Sequence, residues 1–269
     1  MPPVVSHFVC LQPRAWARVY VNDVPVYRAP HIGPDSRSGP LNHLLRQGEN
    51  EVTVELLRAG KQPGYDRVPD AFVFELYIVN NLDAPATEKL DRTLLCDVRY
   101  PKIFEDARPE FQREPLHHRQ TFRIEEPLPT PLYFHAEPAS FGCEGTPDLR
   151  DAVQRIHGAL ERGDHEGFLD ELSLRFECDE RAYPDEDGMR AGPRMQKWRD
   201  ELFPYDPRPD APLDLSQLHF EARCGGRVAH VTRHDERHVL DVACRKDPKR
   251  RIRTDLLLIQ HGGRWRVFA

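Results

Sequence analysis

Three histidines follow one another at intervals of four residues in the segment HVTRHDERH, which spans residues 230–238. Histidine binds metal ions and transfers protons near neutral pH, so His230, His234 and His238 are the first candidates for chemistry. On a helix this spacing would place all three rings on one face. The surrounding residues instead alternate between apolar and polar types, which predicts strands joined by hairpin turns.

Hairpin geometry predicts two carboxylates beside His230. A two-residue loop at Gly225-Gly226 puts Glu221 opposite His230, and a second loop at Asp235-Glu236 puts Asp241 opposite it. Directly opposite side chains on one face have Cβ atoms about 5 Å apart. The predicted row Glu221–His230–Asp241 would favour a charged imidazole and would suit a relay for general acid–base catalysis.

The same geometry argues against a metal site. His234 falls at the hairpin tip and His238 points to the face opposite His230, so the rings cannot converge within the roughly 2.1 Å that zinc requires. No two of the six cysteines form a CxxC pair, and motifs for nucleotide phosphates or metalloproteases are missing from the sequence. We therefore predict neither a metal nor a cofactor. The cysteines are Cys10, Cys96, Cys143, Cys178, Cys224 and Cys244.

The reverse side of the predicted sheet indicates where the His230 row lies. Phe220, Val231 and Leu240 form one apolar row on that side, and it is the side that helices should cover. The row with His230 would then meet solvent, a second subunit or another domain. This favours an interface or a solvent-exposed face over catalysis, although a slip of one residue in either hairpin would exchange the two faces.

Three helices should provide the cover. Thr146 and Pro147 begin the first, Asp164 begins the second, and residues 193–203 form the third. Strands with turns at Gly225-Gly226 and Gly262-Gly263 follow. The junction ALERGDHEGFLDEL (159–172) and the closing GGRWRVFA (262–269) resemble the cystatin-like α+β cone, or nuclear-transport-factor-like and SnoaL-like, superfamily. The resemblance implies a curved antiparallel sheet with three helices, in a superfamily that includes both enzymes and non-catalytic binders.

In that superfamily the pocket lies between the helices and the sheet. Isomerases of this kind use a carboxylate base and a donor such as tyrosine in an apolar cavity. By position, the candidates in this chain are Asp255 and Tyr183, but Asp255 can equally pair with Arg266 across the last hairpin. The other expected wall residues are apolar or aromatic: Phe168, Phe176, Trp198, Phe220, Val231, Leu240 and Leu257.

Residues 1–140 have the pattern of an all-β sandwich. Short β-rich runs flank a tight turn at Asn22-Asp23, a turn at 48–50 precedes an alternating strand, and residues 71–81 form an apolar strand buried on both faces. Two more strands are expected within 120–137. The hairpin VYVNDVPV (19–26) followed by LLRQGENEVTVEL (44–56) resembles jelly-roll or galactose-binding-like sandwiches. The predicted domains are thus a β-sandwich over 1–140 and an α+β cone over 146–269.

Composition limits the partners. The chain of 269 residues carries a net charge of −6, which leaves no basic excess for nucleic acid. No apolar run is long enough to span a membrane, and no secretory signal is visible, which favours reduced thiols and the cytoplasm. The basic run 245–253 is interpreted as a solvated loop.

Two function classes remain open. The favoured one is a non-enzymatic protein that binds a protein partner, with bacterial toxin-neutralising (immunity-type) and secretion accessory proteins as analogues. The net charge would suit a basic partner, and the exposed sheet face would allow a homodimer. The alternative is a small-molecule isomerase, cyclase or ligand binder that uses the cone pocket.

Overall fold

The computed structural model describes residues 4–11, 16–29, 35–57, 72–79, 91–100, 116–184, 187–235 and 237–269. Its contacts divide the chain into two compact units, Met1–Thr130 and Pro131–Ala269. The segment 131–145 belongs to the second unit. Backbone hydrogen bonds attach it there, because Ala139 N donates to Gly226 O and Phe220 N donates to Cys143 O.

The described part of the first unit is an all-β arrangement of two four-stranded antiparallel sheets, with the orders β4-β1-β6-β7 and β3-β2-β5-β8. Its strands are β1 (Val4–Leu11), β2 (Trp16–Val21), β3 (Val24–Ala29), β4 (Asp35–Pro40), β5 (Gly48–Leu57), β6 (Phe72–Val79), β7 (Arg92–Tyr100) and β8 (Leu116–Ile124).

Local patterns explain most of these strands. Asn22 and Asp23 have φ of 50° and 65°, which confirms the predicted tight hairpin turn between β2 and β3. Val52, Val54 and Leu56 are fully buried along β5, as their alternation predicted. The apolar strand at 71–81 is also confirmed, because β6 is a central strand buried along nearly its whole length.

Two predictions for residues 1–140 are wrong. Residues 48–50 are not a turn but the start of β5, where Gly48 pairs with Ile124 and Asn50 pairs with Phe122. The run PLYFHAE, expected to be a strand, contains a 3-10 helix at Leu132–His135. The prolines that flank this run lack the N–H that a strand ladder needs.

The second unit combines helices and antiparallel strands. The helices are α1 (Pro147–Arg162), α2 (His165–Ala182) and α3 (Ala191–Glu201), and they follow the predicted order. The strands are β9 (Pro207–Pro209), β10 (Leu218–Arg223), β11 (Val228–Arg233), β12 (Leu240–Cys244), β13 (Asp247–Thr254), β14 (Leu256–His261) and β15 (Arg264–Val267).

Turn and capping residues set the helix ends. Gly163 ends α1 in the left-handed conformation, with φ of 72°, and its backbone N–H bonds back into the helix. The side chain of Asp164 then accepts a hydrogen bond of 2.9 Å from Gly167 N at the start of α2. Thr146 is the first residue before α1, but its side chain makes no capping bond to the backbone.

The prediction of one curved sheet in this unit, with β11 paired to the strand that follows it, is wrong. The strands form two sheets among the described residues, with the orders β10-β11-β14-β15 and β13-β12-β9. The strand next to β11 is therefore β14 and not β12. β14 is buried over four consecutive residues, so it suits a central position, whereas β12 alternates and buries only one side.

One apolar core fills the space between the helices and these strands. It joins residues of α1 and α2 to residues of β10, β11, β12, β14 and β15. Trp265 of β15 lies in this core and its indole Nε1 donates a 3.0 Å hydrogen bond to Asp148, near the start of α1. Phe220 and Val231 face the helices, as the sequence predicted.

Candidate functional site

The candidate site is the pair formed by Glu221 and His230, which lie opposite each other on β10 and β11. The structure confirms this predicted pairing. The observed loop, Cys224–Arg227, is longer than two residues but has the same centre, so the register is unchanged. The Nδ1 atom of His230 lies 3.6 Å from Oε2 of Glu221, and the other carboxylate oxygen receives Arg223 Nη2 at 2.6 Å.

Glu221 is held in its charged form. Burial alone raises the pKa of this carboxyl group, but the His230 imidazole and the Arg223 guanidinium lower it by more, so that it lies at about 2. A group with so low a pKa is a weak base near neutral pH. Glu221 is thus a stable anion that binds Arg223 and lies beside His230.

His230 is buried, so solvent, one of the three surroundings expected for its face, does not cover it. Only 8% of its side chain is exposed, and no hydrogen-bond partner for Nδ1 occurs among the described residues. The residues that share its side of the sheet include Val228, Leu257 and Ile259, and these are buried too. Apolar side chains therefore occupy both faces of this sheet.

Asp241 does not join this pair, so the predicted row of three is wrong. The position opposite His230 on its second neighbouring strand belongs to Leu257 of β14. Asp241 lies in the other sheet, opposite Arg253, and its Oδ1 atom accepts hydrogen bonds from Arg251 Nε at 3.0 Å and Arg253 Nε at 3.3 Å. It is a counter-charge for basic residues of β13.

The other two histidines have separate surroundings. His234 is exposed after the β11 strand, and its ring centroid lies 5.5 Å from that of His219. Nδ1 of His238 lies 3.4 Å from Oδ1 of Asp255, which also accepts a long hydrogen bond from Val239 N. In the described part of the chain, no group of three or more His, Cys, Asp or Glu residues could hold a metal ion.

Most of the residues expected to line a cone pocket lie in the apolar core. Five of them belong to the apolar core and are at most 2% exposed: Phe168, Phe176, Phe220, Val231 and Leu240. Leu257 lies on the opposite side of the sheet, because its pairing with His230 places it there. Tyr183 is buried as well, and Asp255 faces His238, while Arg266 donates to Ser173 Oγ and Asp170 O.

Trp198, another expected wall residue, lines an opening. Its ring centroid lies 6.0 Å from those of Phe168 and Phe176, yet the side chain is only half-buried. It borders an open groove of about 350 Å³ between α3 and β13. We call this the α3–β13 groove; its lining residues are Lys197, Trp198, Glu201, Leu202, Arg250 and Arg251.

Sequence reasoning missed this groove because it treated 245–253 as a loop. Most of that run forms β13, an edge strand among the described strands, and its charged side chains are largely exposed. The available signal was Ile252, a single apolar residue among charges. It pairs with Val242 on β12 and joins the core, which ties the strand to the unit.

Fold and site together define a sheet-rich protein with an all-β unit followed by an α+β unit. No known protein family matches the chain, and no curated protein or solved structure is significantly similar to it. None of the helices within the described residues is long and apolar enough to cross a membrane.

Proposed function

We propose that this chain is a non-enzymatic binding protein that recognises a protein partner. The observation that carries the proposal is the burial of most of the expected pocket residues in one apolar cluster of the second unit. The residues on which a cone-type active site would depend are packed against one another in the core. A small-molecule enzyme needs a concave site with an ionisable group at its floor, whereas recognition of a macromolecule uses the outer surface.

The surface of this unit is rich in ordered charges. Arg199 binds Glu166 through both Nε, at 2.8 Å, and Nη2, at 2.6 Å, and Arg233 binds Asp235 in the same two-point manner. Such pairs hold planar groups in defined directions, which supports specific recognition of a partner. Each exposed ion pair adds little to the free energy of unfolding. Stability alone therefore does not explain why this surface has so many ion pairs.

The net charge and the burial of the sheet bear on the kind of partner. The net charge of −6 supports long-range attraction of a basic partner. The burial of Val228, Leu257 and Ile259 removes the support for a homodimer through the face that carries His230. Membership of the nuclear-transport-factor-like superfamily, and an immunity-type or secretion accessory role, are proposals by resemblance and analogy.

The test is capture of a partner followed by reconstitution. The full chain is immobilised and exposed to an extract of the source organism, and each captured protein is purified and titrated against the free chain by calorimetry. We expect a complex of defined stoichiometry with a dissociation constant in the micromolar range or tighter. The proposal fails if no captured protein rebinds in pure form.

A parallel measurement addresses the enzymatic alternative. Native mass spectrometry of the purified chain, with thermal denaturation in the presence of small carbonyl compounds, reports ligands that enter the second unit. We expect no retained small molecule and no increase in melting temperature. A retained compound that stabilises the chain would favour the isomerase or ligand-binder class instead.

A further inference from the structure

His165, the first residue of α2, stacks on the ring of Phe203. The two ring centroids lie 4.4 Å apart, and the ring planes differ by only 15°. Phe203 begins the 3-10 helix Phe203–Tyr205 and belongs to the apolar core, where its ring centroid lies 6.4 Å from that of Trp198. The stack therefore joins the start of α2 to the segment that leads into β9.

Arg208 holds the same junction together. Its Nη1 donates a 3.0 Å hydrogen bond to Glu161 O in the last turn of α1, and its Nε donates a 2.9 Å hydrogen bond to Asp206 Oδ1. Asp206 follows the 3-10 helix in the left-handed conformation, with φ of 53°. The end of α1, the start of α2 and residues 203–208 thus meet at one place, and both Asp206 and Arg208 act electrostatically on His165.

The surroundings of His165 suit a neutral imidazole. Its Nε2 is shielded from solvent and has no hydrogen-bond partner among the described residues. A neutral ring can leave this nitrogen without a proton, whereas an imidazolium carries a proton on both nitrogens and would bury a donor without an acceptor. The positive end of the α2 dipole opposes the added charge. The face of the Phe203 ring attracts a cation, but it supplies no acceptor in the plane of the imidazole.

The charged groups around the ring do not reverse this preference. Burial lowers the pKa of His165, and Arg208 lowers it as well. The carboxylates of Asp206, Asp164 and Glu166 raise it, but the net pKa stays below the ordinary value of 6.5. All three carboxylates already accept hydrogen bonds from other groups, namely Arg208 Nε, Gly167 N and Arg199 Nε.

We propose that the stack of His165 on Phe203 is a pH-sensitive contact, which is closed when the imidazole is neutral and opens when it is protonated. Opening would release the first turn of α2 from residues 203–206 and would expose the Phe203 ring, which is 9% exposed in the closed form. This inference concerns regulation and goes beyond the proposed function, because it holds whether or not the chain has a protein partner.

The direction of the response follows from the proton balance between the two forms. In the open form the imidazole is in water and has its ordinary pKa of 6.5, which is higher than the pKa in the closed form. The stack therefore contributes its full stability above pH 6.5 and loses it as the pH falls through the closed-form pKa. Coupling to a single proton limits the change in the opening equilibrium between pH 7.5 and pH 5.5 to about tenfold.

Amide hydrogen exchange on the full chain measures this opening. Phe168 N donates to Asp164 O in the first turn of α2, and Asp206 N donates to Phe203 O, so these two amides report it. After correction for intrinsic exchange rates, we expect both protection factors to be about three- to tenfold lower at pH 5.5 than at pH 7.5. Both should also lie below the protection factor of Ile156, a buried residue within α1, because the opening is local.

Three variants assign the response to one histidine. His165→Phe keeps a ring for stacking but cannot be protonated, so the two protection factors should be the same at both pH values. His165→Gln removes both the ring and the charge, so protection should be low at both pH values, and this variant tests the proposal even if His165→Phe does not fold. His234→Ala removes an exposed histidine and should behave as wild type. Circular dichroism spectra and melting temperatures at pH 7.5 check that each variant is folded.

Three outcomes would overturn the proposal. The first is wild-type protection that is unchanged between pH 7.5 and pH 5.5, and the second is an equal pH dependence in wild type and the His165 variants. The third is protection of Phe168 and Asp206 that equals that of Ile156, which would mean that exchange occurs by global unfolding and not by a local opening. None of these outcomes bears on protein binding, which is tested separately by capture and reconstitution.

Discussion

Oε2 of Glu221 lies 3.6 Å from Nδ1 of His230 across the pair formed by β10 and β11. The same carboxylate binds Arg223, so Glu221 serves a buried imidazole and a guanidinium together. This arrangement is a small polar cluster beside the buried apolar residues Val228, Leu257 and Ile259. Substitution of these residues should therefore change the free energy of unfolding.

Replacement of Glu221 should change the dependence of stability on pH. The folded-state pKa of about 2 is below the ordinary value of 4.5, so the ionised carboxylate contributes stability above about pH 4.5 and loses it as the pH falls toward 2. Glu221→Gln should therefore have a free energy of unfolding about 1 kcal/mol lower than wild type near pH 7. Solvent screening keeps this difference small, because the side chain of Glu221 is 38% exposed. Urea denaturation across this pH range measures the difference.

The free energies of unfolding of wild type and Glu221→Gln should converge near pH 2. Glu144→Gln, at an exposed position, is the control and should follow wild type throughout. A gap between wild type and Glu221→Gln that stays constant from pH 7 to about pH 2 would show that the carboxylate charge contributes no stability.

Two histidines of the same segment should respond differently to the same substitution. His230→Ala removes a buried ring and leaves Glu221 with only Arg223, which should cost about 2 kcal/mol of unfolding free energy. His234 is exposed, so His234→Ala should change the unfolding free energy by less than about 0.5 kcal/mol. Thermal and urea denaturation at neutral pH compare them, and equal losses would contradict the burial of His230.

The loop between β10 and β11 should tolerate no side chain at Gly226. This glycine has φ of +85°, and a Cβ atom there would lie 2.6 Å from the carbonyl oxygen of Ala139. Gly226→Ala should cost about 3 kcal/mol through backbone strain and displacement of the 139 backbone. Gly262 has φ of +59° but open space around it, so Gly262→Ala should cost only about 1 kcal/mol. Similar losses of unfolding free energy in Gly226→Ala and Gly262→Ala, measured by urea denaturation, would mean that the contact with Ala139 is unimportant.

The reactivity of the cysteine thiols should depend on their burial. Cys96 and Cys178 are buried, and desolvation raises the pKa of each to about 12, whereas Cys143 is exposed. Iodoacetamide at pH 8 should therefore label Cys143 in the native state and should reach Cys96 and Cys178 only after denaturation. Peptide mass spectrometry quantifies each site. Early labelling of Cys178 would indicate that α2 opens in the native state.

Many local features could be predicted from the sequence because they depend on neighbouring residues. Alternation around Val52 and the turn at Asn22-Asp23 identified a strand and a hairpin in the first unit. Gly163 and Asp164 placed the end of one helix and the start of the next. The opposition of Glu221 and His230 followed from the centre of a glycine loop, which depends on sequence distance alone.

The candidate site was only half predictable for the same reason. Asp241 was placed beside His230 by assuming that consecutive strands pair, but β14 takes that position. The choice between β12 and β14 depends on which strand can bury both of its faces, and this is decided by packing with distant elements. The burial of His230 depends on the same choice, since Leu257 of β14 lies beside it.

The sequence by itself determined where the three helices, several strands and the hairpin turns occur and which of their side chains share a face, because side-chain periodicity and turn conformation are local properties. Only the tertiary structure decided which strands are neighbours, that the expected pocket residues form a core, and that Trp198 and Arg250 meet in one groove. Several strands have compatible patterns, so long-range burial, and not local preference, selects among their pairings.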